Sequence, residues 1–450
     1  MREKRTVQRS IFETYVEHEI GRELKAISDW LDAHRAILDW VEADIREPEV
    51  SDCGRKGLTV ESVLRCALLK QYQQLSYDEL AFHLMDSVSF QSFARLQTGW
   101  VPKKIALQQS ISRICDGTWE KINGALLGDA CTLGVERGRV ARVDSTVTES
   151  TIHEPTDSGL LWDSVRVMVR LCEGAEGLAN PVPLDYRDHR RRAKKRMRAI
   201  QYTRGQTKKV ALYRDLIEVT RRSLGYLEGI EGALATLTVD PVLHAAWREE
   251  VGHFRPLIER VIEQAERRVL RGEKVPAAEK LFSLFEDHTD IIVKGSRDIQ
   301  YGHKLNLTTG KSGLILDAVI EAGNPADSAR FLPMVERHIE RYGRAPRQMA
   351  ADGGYASLEN LQGAKNLGVE DVAFHKKKGL KVEDMVRSAR VYRKLRNFRA
   401  GIEAGISCLK RVYGLARCTW KGLAHFKAYV WSSVVTHNLV VFARLQMQIE

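Results

Sequence analysis

Closely spaced cysteine pairs and long apolar runs are both absent from this 450-residue sequence. The seven cysteines include no Cys-x-x-Cys pair, which excludes a zinc knuckle and a disulfide framework and indicates buried thiols in a reducing compartment. The chain starts with Met1-Arg-Glu-Lys-Arg-Thr6, which is too charged for a signal peptide, and no apolar run of about 18 residues follows. We therefore expect a cytoplasmic protein with no membrane partner.

Positive charge is what the chain has in excess. The formal net charge is +11 and the pI about 9.2, a balance that favours a polyanionic partner such as nucleic acid. Much of the excess lies in residues 187–209, where eleven Lys and Arg accompany one acid, Asp188. Such a run is usually a solvated face, but in a protein that binds nucleic acid it would contact the phosphates of the backbone. That interpretation assigns DNA binding to Arg190, Arg191, Arg192, Lys194, Lys195, Arg196 and Arg198.

Three acidic residues occur in three different local contexts. Asp144 ends an alternating, strand-like run, and Asp352 closes the short apolar run of residues 348–351 before a glycine pair. Glu403 lies in residues 396–410, whose pattern predicts a helix. A lone Asp at the end of a strand is more often a turn-former than a ligand. Together, however, three carboxylates can converge on a pair of divalent cations, and oxygen-only ligation suits Mg²⁺ or Mn²⁺.

Helical patterns dominate the first part of the chain. Residues 1–135 read as a helical N-terminal domain, with one long helix predicted over residues 108–135. Thr59 can cap one helix, and Ser76 with Glu79 forms a capping box at the start of the next. Two short capped helices joined by a tight turn can form a helix-turn-helix that binds DNA. A small helical bundle that makes no DNA contact fits the same pattern.

The rest of the chain alternates strands and helices around a second helical block. Residues 156–287 are mostly helical, and strand signals resume only at residues 290–294 and 313–320. A helix over residues 326–342, a strand before Asp352, a strand at residues 372–374 and the Glu403 helix follow. With the helical block treated as a basic insertion after the first strand, this order predicts an α/β, RNase H-like domain. Its parts are residues 136–155 and 288–450.

Four motifs of the chain together resemble a known family. The chain is similar, over roughly residues 55–445, to bacterial insertion-sequence transposases of the DDE class. Within that class it resembles the ISNCY group, near the IS4/IS5-type assemblage. The related signature begins with a tyrosine where this chain has Arg396. The motifs are Asp144-Ser-Thr, Tyr301-Gly-His-Lys304-Leu-Asn-Leu, Asp352-Gly-Gly-Tyr355 and Arg399-x3-Glu403-x6-Lys410, of which the last is the most specific.

The resemblance implies a transposase that cuts and joins DNA at the ends of its own mobile element. Asp144, Asp352 and Glu403 would hold two Mg²⁺ ions, with Mn²⁺ able to substitute, and no protein nucleophile would be needed. The implied partners are double-stranded DNA, as terminal inverted repeats and as target, and further copies of the chain in a homodimer or larger synaptic assembly. In that family the N-terminal helices bind the element ends, and the protein is expected at the bacterial nucleoid.

Basic residues near the third acid have two interpretations. Arg399 and Lys410 share a helix face with Glu403, and the resemblance assigns both to phosphates of the scissile or transferred strand. The alternative is an Arg–Glu pair on a solvated helix. A basic run after the strand at residue 372 would either contact phosphates or form a solvated loop. That run contains Lys376, Lys377 and Lys378.

Other residues and other functions stay open at this stage. Glu383 and Asp384 are rival third acids without basic partners at helical spacing. Trp162 and Tyr202 are candidates for stacking on a displaced base, although burial is the simpler interpretation of Trp162. A serine- or tyrosine-type recombinase would also bind DNA, but through a covalent link and without metal. A non-catalytic DNA-binding protein derived from a transposase would keep the basic run and the helices.

Overall fold

The computed structural model describes Lys4, Tyr15 and residues 17–46, 57–96, 100–294, 298–376 and 378–448. It shows a mixed α/β protein that divides into two compact units. Residues 1–149 and 303–450 form the first unit, and residues 150–302 form the second. None of the described helices is both long enough and apolar enough to span a membrane.

The chain before the first strand is helical in its described parts. The predicted caps are confirmed: the Thr59 hydroxyl accepts a hydrogen bond from a backbone N–H of its helix, and Ser76 forms a capping box with Glu79. The single helix predicted over residues 108–135 is wrong. Two helices form there, because the backbone N–H of Cys115 donates to the Asp44 carboxylate at 2.9 Å instead of continuing a helix. The helices are α1 (Glu19–Ala33), α2 (Ala36–Ile45), α3 (Val60–Tyr72), α4 (Tyr77–Asp86), α5 (Val88–Ala94), α6 (Lys104–Ile111) and α7 (Asp116–Thr132).

The two helices with predicted caps, α3 and α4, offer little to a DNA backbone. All 13 residues of α3 are buried, so α3 presents no face to solvent. Helix α4 contains no Lys or Arg, and phosphate contacts depend on cations. DNA binding by the N-terminal helices stays a prediction. The surfaces of α3 and α4 give it no further support. The exposed residues of α4 are acidic or apolar: Asp78, Glu79, Phe82, Met85 and Asp86.

The strands are β1 (Val140–Glu149), β2 (Asp290–Lys294), β3 (Asp298–Gly310), β4 (Ile315–Ile320), β5 (Gln348–Ala351) and β6 (Asp371–Phe374). In the first unit the order across the sheet is β4, β3, β1, β5, β6. Strands β1, β5 and β6 are parallel, whereas β3 and β4 are antiparallel. The first residues of β3 lie in the second unit, where they pair antiparallel with β2. The strands predicted at residues 290–294, 313–320 and 372–374 and before Asp352 are therefore confirmed.

Two strand predictions need correction. Asp144 does not end its strand, because the buried residues Thr146, Val147 and Thr148 continue β1 as far as Glu149. The pattern also missed β3 as a separate strand between residues 294 and 313. Residues 304–308 do alternate polar and apolar side chains, which is the signal of a strand, although residues 303–310 are buried on both faces.

The second unit has its own helices and its own apolar core. Four helices surround a core that includes Leu161, Val165, Leu227 and Ile258. These helices are α8 (Asp157–Ala179), α9 (Arg190–Tyr202), α10 (Gln206–Leu234) and α11 (Pro241–Ala265).

The last helices of the chain belong to the first unit. They are α12 (Phe331–Tyr342), α13 (Leu358–Asn366), α14 (Val382–Met385), α15 (Ala389–Val412) and α16 (Leu423–Met447). The helices predicted near residues 326–342 and around Glu403 are thus confirmed. Helix α15 packs against β1, β5 and β6. The buried residues of α15 recur at helical spacing, so one face of the helix lies on the sheet: Tyr392, Leu395, Arg399, Ile402 and Leu409.

Candidate active site

The three predicted acids converge on one arginine of the first unit. Nη2 of Arg399 lies 2.8 Å from Oδ2 of Asp144 and 3.5 Å from Oδ1 of Asp352. Nη1 of the same guanidinium lies 2.8 Å from Oε1 of Glu403. A single cation therefore contacts the carboxylates of three residues from three separate elements.

Strand register brings the first two acids together. The parallel pairing of β1 with β5 ends with Val143 opposite Ala351. Because both strands run in the same direction, the next residues along them are Asp144 and Asp352. The Asp144 carboxylate also accepts a hydrogen bond from the backbone N–H of Ser145 at 2.8 Å. The register of the sheet thus places Asp144 and Asp352 on adjacent strands, directly beyond the last paired residues.

Helix α15 carries Glu403, the third acid, and Arg399 to the same edge of the sheet. Ser388 caps the helix, with its hydroxyl accepting a hydrogen bond from the backbone N–H of Val391. The Tyr392 hydroxyl donates to the carbonyl of Phe374, the last residue of β6, at 2.9 Å. This bond fixes the start of α15 at the edge of the sheet. Arg399 then faces the two aspartates, and Glu403, one turn further along the helix, contacts the same guanidinium.

Solvent reaches the cluster from the side of Glu403. The Arg399 side chain is 11% exposed and that of Asp144 14%, whereas Asp352 is 39% and Glu403 66% exposed. An ion or a phosphate group can therefore approach Glu403 and Asp352 first, while Asp144 forms the inner wall of the cluster.

A buried tyrosine supports the inner wall. The Tyr355 hydroxyl donates to Oδ1 of Asn306 on β3 at 2.6 Å. Burial raises the pKa of Tyr355 far above its ordinary value, and the charges of Asp327, Asp144 and Asp352 raise it further. Tyr355 therefore stays protonated and continues to donate, which holds the Asp352-Gly-Gly-Tyr355 turn against the sheet.

The three carboxylates supply oxygen atoms that suit a divalent cation, although the Arg399 guanidinium lies among them. Among the described residues, no group of three or more His, Cys, Asp or Glu side chains has the arrangement of a metal site. The three carboxylates instead share the Arg399 guanidinium. Their ligand atoms are all oxygens, the type that Mg²⁺ and Mn²⁺ prefer. The residue types fit such an ion, and the positive charge of Arg399 already balances part of their charge.

The other basic residues predicted near the site follow Glu403 on α15 or follow β6 in the chain. Lys410 is half-buried on α15, two turns beyond Glu403. Lys376 follows β6, and a Cβ added at Gly353 would lie 2.6 Å from its Cβ, so Lys376 packs against the backbone beside Asp352. Lys378 follows in the same loop with a positive φ of 45°. Lys377 lies outside the described residues.

The rival acids lie apart from the cluster. Glu383 and Asp384 belong to the first turn of the short helix α14, where both are exposed. Within the described residues, the carboxylate partners of Arg399 are Asp144, Asp352 and Glu403 alone.

The basic run of the second unit is only partly paired. Arg190 forms ion pairs with Glu173 and Asp188, and Arg192 and Arg196 both contact Asp215. The Lys194 ammonium lies 5.7 Å from the centroid of the Trp162 ring. The remaining three are exposed and form no ion pair with any described residue: Arg191, Lys195 and Arg198.

The two aromatic candidates in the second unit differ in exposure. Trp162 is half-buried, with the Arg166 guanidinium 4.6 Å from its ring centroid. Tyr202, at the end of α9, is 84% exposed. The Tyr202 ring is therefore open to a stacking base, whereas the Trp162 ring already has cation–π contacts with Arg166 and Lys194.

Comparison with known families gives one result. Residues 287–439 match the family model described as the transposase DDE domain. The matched residues include Asp352, Arg399 and Glu403, and Asp144 precedes them. No curated protein and no solved structure matches the chain. The family match supports a DDE-type transposase, and this family implies DNA as a partner and an RNase H-like core.

Sequence reasoning missed one residue beside the site. Arg142 lies on β1 two residues before Asp144, hydrogen-bonded to β3 and to α15. The available signal was its spacing, since residues two apart on a strand share a face.

Proposed function

We propose that this protein is a DNA transposase that cleaves and joins DNA at the ends of an insertion sequence, with Asp144, Asp352 and Glu403 as its catalytic acids. The observation that carries the proposal is the contact of one guanidinium, that of Arg399, with all three carboxylates. The family match supports it, since two of the acids and Arg399 lie within the matched residues. The proposed group remains that of the ISNCY elements.

The strand order supports an RNase H-like catalytic domain. The order β4, β3, β1, β5, β6 places the three parallel strands on one side of the sheet and the antiparallel pair on the other. The acids follow the element order expected of that fold, on the first strand, after the first parallel partner strand and on a late helix. We assign residues 136–155 and 288–450 to this domain, residues 156–287 to an insertion and residues 1–135 to an N-terminal domain.

The carboxylates are proposed to hold two Mg²⁺ ions, with Mn²⁺ as a substitute. Ions bound there would supply Lewis acidity, which would lower the pKa of an attacking water or 3′-hydroxyl and stabilise the leaving oxygen of a phosphodiester. The chain supplies the negative charge and its placement: Asp144 is fixed within β1, Asp352 at the end of β5 and Glu403 on α15. No protein nucleophile takes part.

Arg399 has two roles in this proposal. Without a divalent ion it balances the charge of three carboxylates that would otherwise repel one another. Its Nε is buried and has no hydrogen-bond partner in the described structure. Because that N–H is buried, a phosphate oxygen of the scissile or transferred strand is proposed to approach Nη1 of Arg399, on the exposed side of Glu403. Further phosphate contacts are proposed for Lys410 on the same helix and for Lys376, Lys377 and Lys378 after β6.

Binding of the DNA flanks is proposed for α9. Its paired and unpaired basic residues together leave an excess of positive charge, and such charge binds phosphates without regard to sequence. The ligands proposed are terminal inverted repeats and target DNA. Strand transfer joins two element ends to one target, so the active form is proposed to be a homodimer or a larger synaptic assembly.

Strand cleavage by amide variants tests the function. We expect Asp144→Asn, Asp352→Asn and Glu403→Gln each to abolish Mg²⁺-dependent cleavage of DNA that carries the element ends. Each amide keeps the shape of the side chain and removes the ligand charge, so folding and DNA binding in EDTA should be unchanged. Glu383→Gln is the matched control. Near-normal cleavage by any one variant would remove that residue from the site, and cleavage by the wild type in EDTA would indicate a covalent recombinase.

A further inference from the structure

Arg142 lies beside the acidic cluster without belonging to it. Its Nε donates to Oγ1 of Thr309 on β3 at 2.8 Å, and its Nη1 donates to the carbonyl of Phe398 on α15 at 2.5 Å. Its guanidinium carbon lies 4.5 Å from the centroid of the Phe398 ring. One side chain of β1 thus joins a neighbouring strand to the helix that carries Arg399 and Glu403.

Arg142 forms no ion pair with any described residue. Among the described residues its hydrogen-bond partners are a hydroxyl and a carbonyl. Burial without a carboxylate partner is costly for a cation, and burial accordingly lowers the pKa of Arg142. Charge balance therefore does not explain why Arg142 is half-buried, whereas its contacts with β3 and α15 do.

The helix is shaped to receive this guanidinium. A Cβ added at Gly401 would lie 2.5 Å from Nη1 of Arg142, so any larger residue would occupy the space that the guanidinium fills. Glycine inside a helix costs about 0.5–1 kcal/mol relative to alanine. Gly401 lies between Arg399 and Glu403, which places the contact within the turn that carries both site residues.

We propose that Arg142 is a positioning residue that sets the place of α15, and through it of Arg399 and Glu403, relative to Asp144. Its bond to Phe398 acts on the residue directly before Arg399. Because a helix is rigid over one turn, a displacement at Phe398 is passed on to Glu403. The inference rests on the proposed function of the three acids and adds a residue that touches none of them.

The experiment measures Mn²⁺ binding to the full-length protein by electron paramagnetic resonance, with thermal unfolding as a separate readout. Arg142→Lys keeps the charge but cannot make both hydrogen bonds and the ring contact. We expect it to weaken Mn²⁺ affinity about tenfold, the lower end of the effect of residues that orient metal ligands. Thr309→Val removes one of the two bonds and should have a smaller effect in the same direction. If an Arg142 variant fails to fold, Thr309→Val tests the same contact in its place.

Two comparisons make the test specific. In a Glu403→Gln background, Arg142→Lys should weaken Mn²⁺ affinity no further, because the ligand that it positions is already lost. Arg337→Lys is the matched control: Arg337 also joins a helix to a strand, through Asp317 of β4, and contacts none of the three acids. This control should leave Mn²⁺ affinity unchanged.

The outcomes separate this inference from the proposed function. Unchanged Mn²⁺ affinity in Arg142→Lys, or an equal loss in both backgrounds, would overturn the positioning role. Wild-type Mn²⁺ affinity in Asp144→Asn and Glu403→Gln would overturn the proposed metal site itself, whatever Arg142 does.

Discussion

Two of the regions in which arginines meet carboxylates have opposite balances of charge. In the acidic cluster, one cation, Arg399, whose side chain is 11% exposed, faces three carboxylates. On α9, seven basic residues face three carboxylates, those of Glu173, Asp188 and Asp215. The first region lacks positive charge, and the second lacks negative charge.

The difference teaches that counting charges along the chain is not enough. The run on α9 looks uniformly basic in sequence, yet Arg190, Arg192 and Arg196 have acidic partners. Residues 396–410 look basic as well, yet the centre of that helix faces an acidic cluster. The cluster is therefore suited to a small cation and α9 to a polyanion.

Replacing the shared arginine gives the largest expected effect. Arg399→Gln should lower Mg²⁺-dependent cleavage at least a hundredfold, because a phosphate donor is lost. It should also raise Mn²⁺ affinity about tenfold, since a positive charge that competes for the three carboxylates is removed. Titration with Mn²⁺ and a cleavage assay on the same preparation measure both. Arg337→Gln is the control, and a fall in Mn²⁺ affinity would mean that Arg399 orders the acids instead of competing for them.

The basic helix gives the next largest effect, through the salt dependence of DNA binding. Replacing Arg191, Lys195 and Arg198 together with Gln should reduce the slope of log affinity against log salt by about 3, at about 0.9 per phosphate contact. Replacing Arg190, Arg192 and Arg196 should change the slope by less than 1, because those side chains already have acidic partners. Equal changes in the two triple variants would show that the ion pairs of α9 open on DNA.

A moderate effect is expected two turns along α15. Lys410→Ala should reduce joining about tenfold and leave Mn²⁺ affinity unchanged, because Lys410 is proposed to hold a phosphate and not to balance the cluster. A strand-transfer assay with pre-cleaved ends measures this step. Altered Mn²⁺ affinity would instead assign Lys410 to the acidic cluster.

The smallest effect is expected at the rival acids. Glu383→Gln and Asp384→Asn should change cleavage less than twofold, because both are exposed on α14 and outside the contacts of Arg399. Cleavage rates at saturating Mg²⁺ measure this. A large loss in either variant would move the third ligand off α15 and break the comparison between the two regions.

The elements around the site were largely predictable because their signals are local. The capping box of Ser76 and Glu79 operates within one turn, and the apolar run before Asp352 ends at a glycine pair. The helix around Glu403 was visible in its apolar period. Strand β3 was missed although residues 304–308 alternate polar and apolar side chains, and the burial of both of its faces, including Lys304 and Asn306, is seen only in the structure. Lys304 is tolerated there through its ion pair with Asp327, a partner that no period reveals.

The contacts within the site could not be predicted in the same way. Asp144 and Arg399 are 255 residues apart in the chain, and Arg142 is 256 residues from Phe398. The motifs identified the acids one by one, but they did not identify Arg399 as the partner of all three or the need for Gly401 beneath Arg142.

By itself, the sequence determined most of the strands and helices around the site, β3 excepted, and the three acids that follow or lie on them. Caps, turns and apolar periods act over a few residues, so they can be read along the chain. The tertiary structure alone decided which cation meets which carboxylate. Such a meeting depends on the register of β1 with β5 and on the packing of α15 against the sheet, and both are set by contacts between distant parts of the chain.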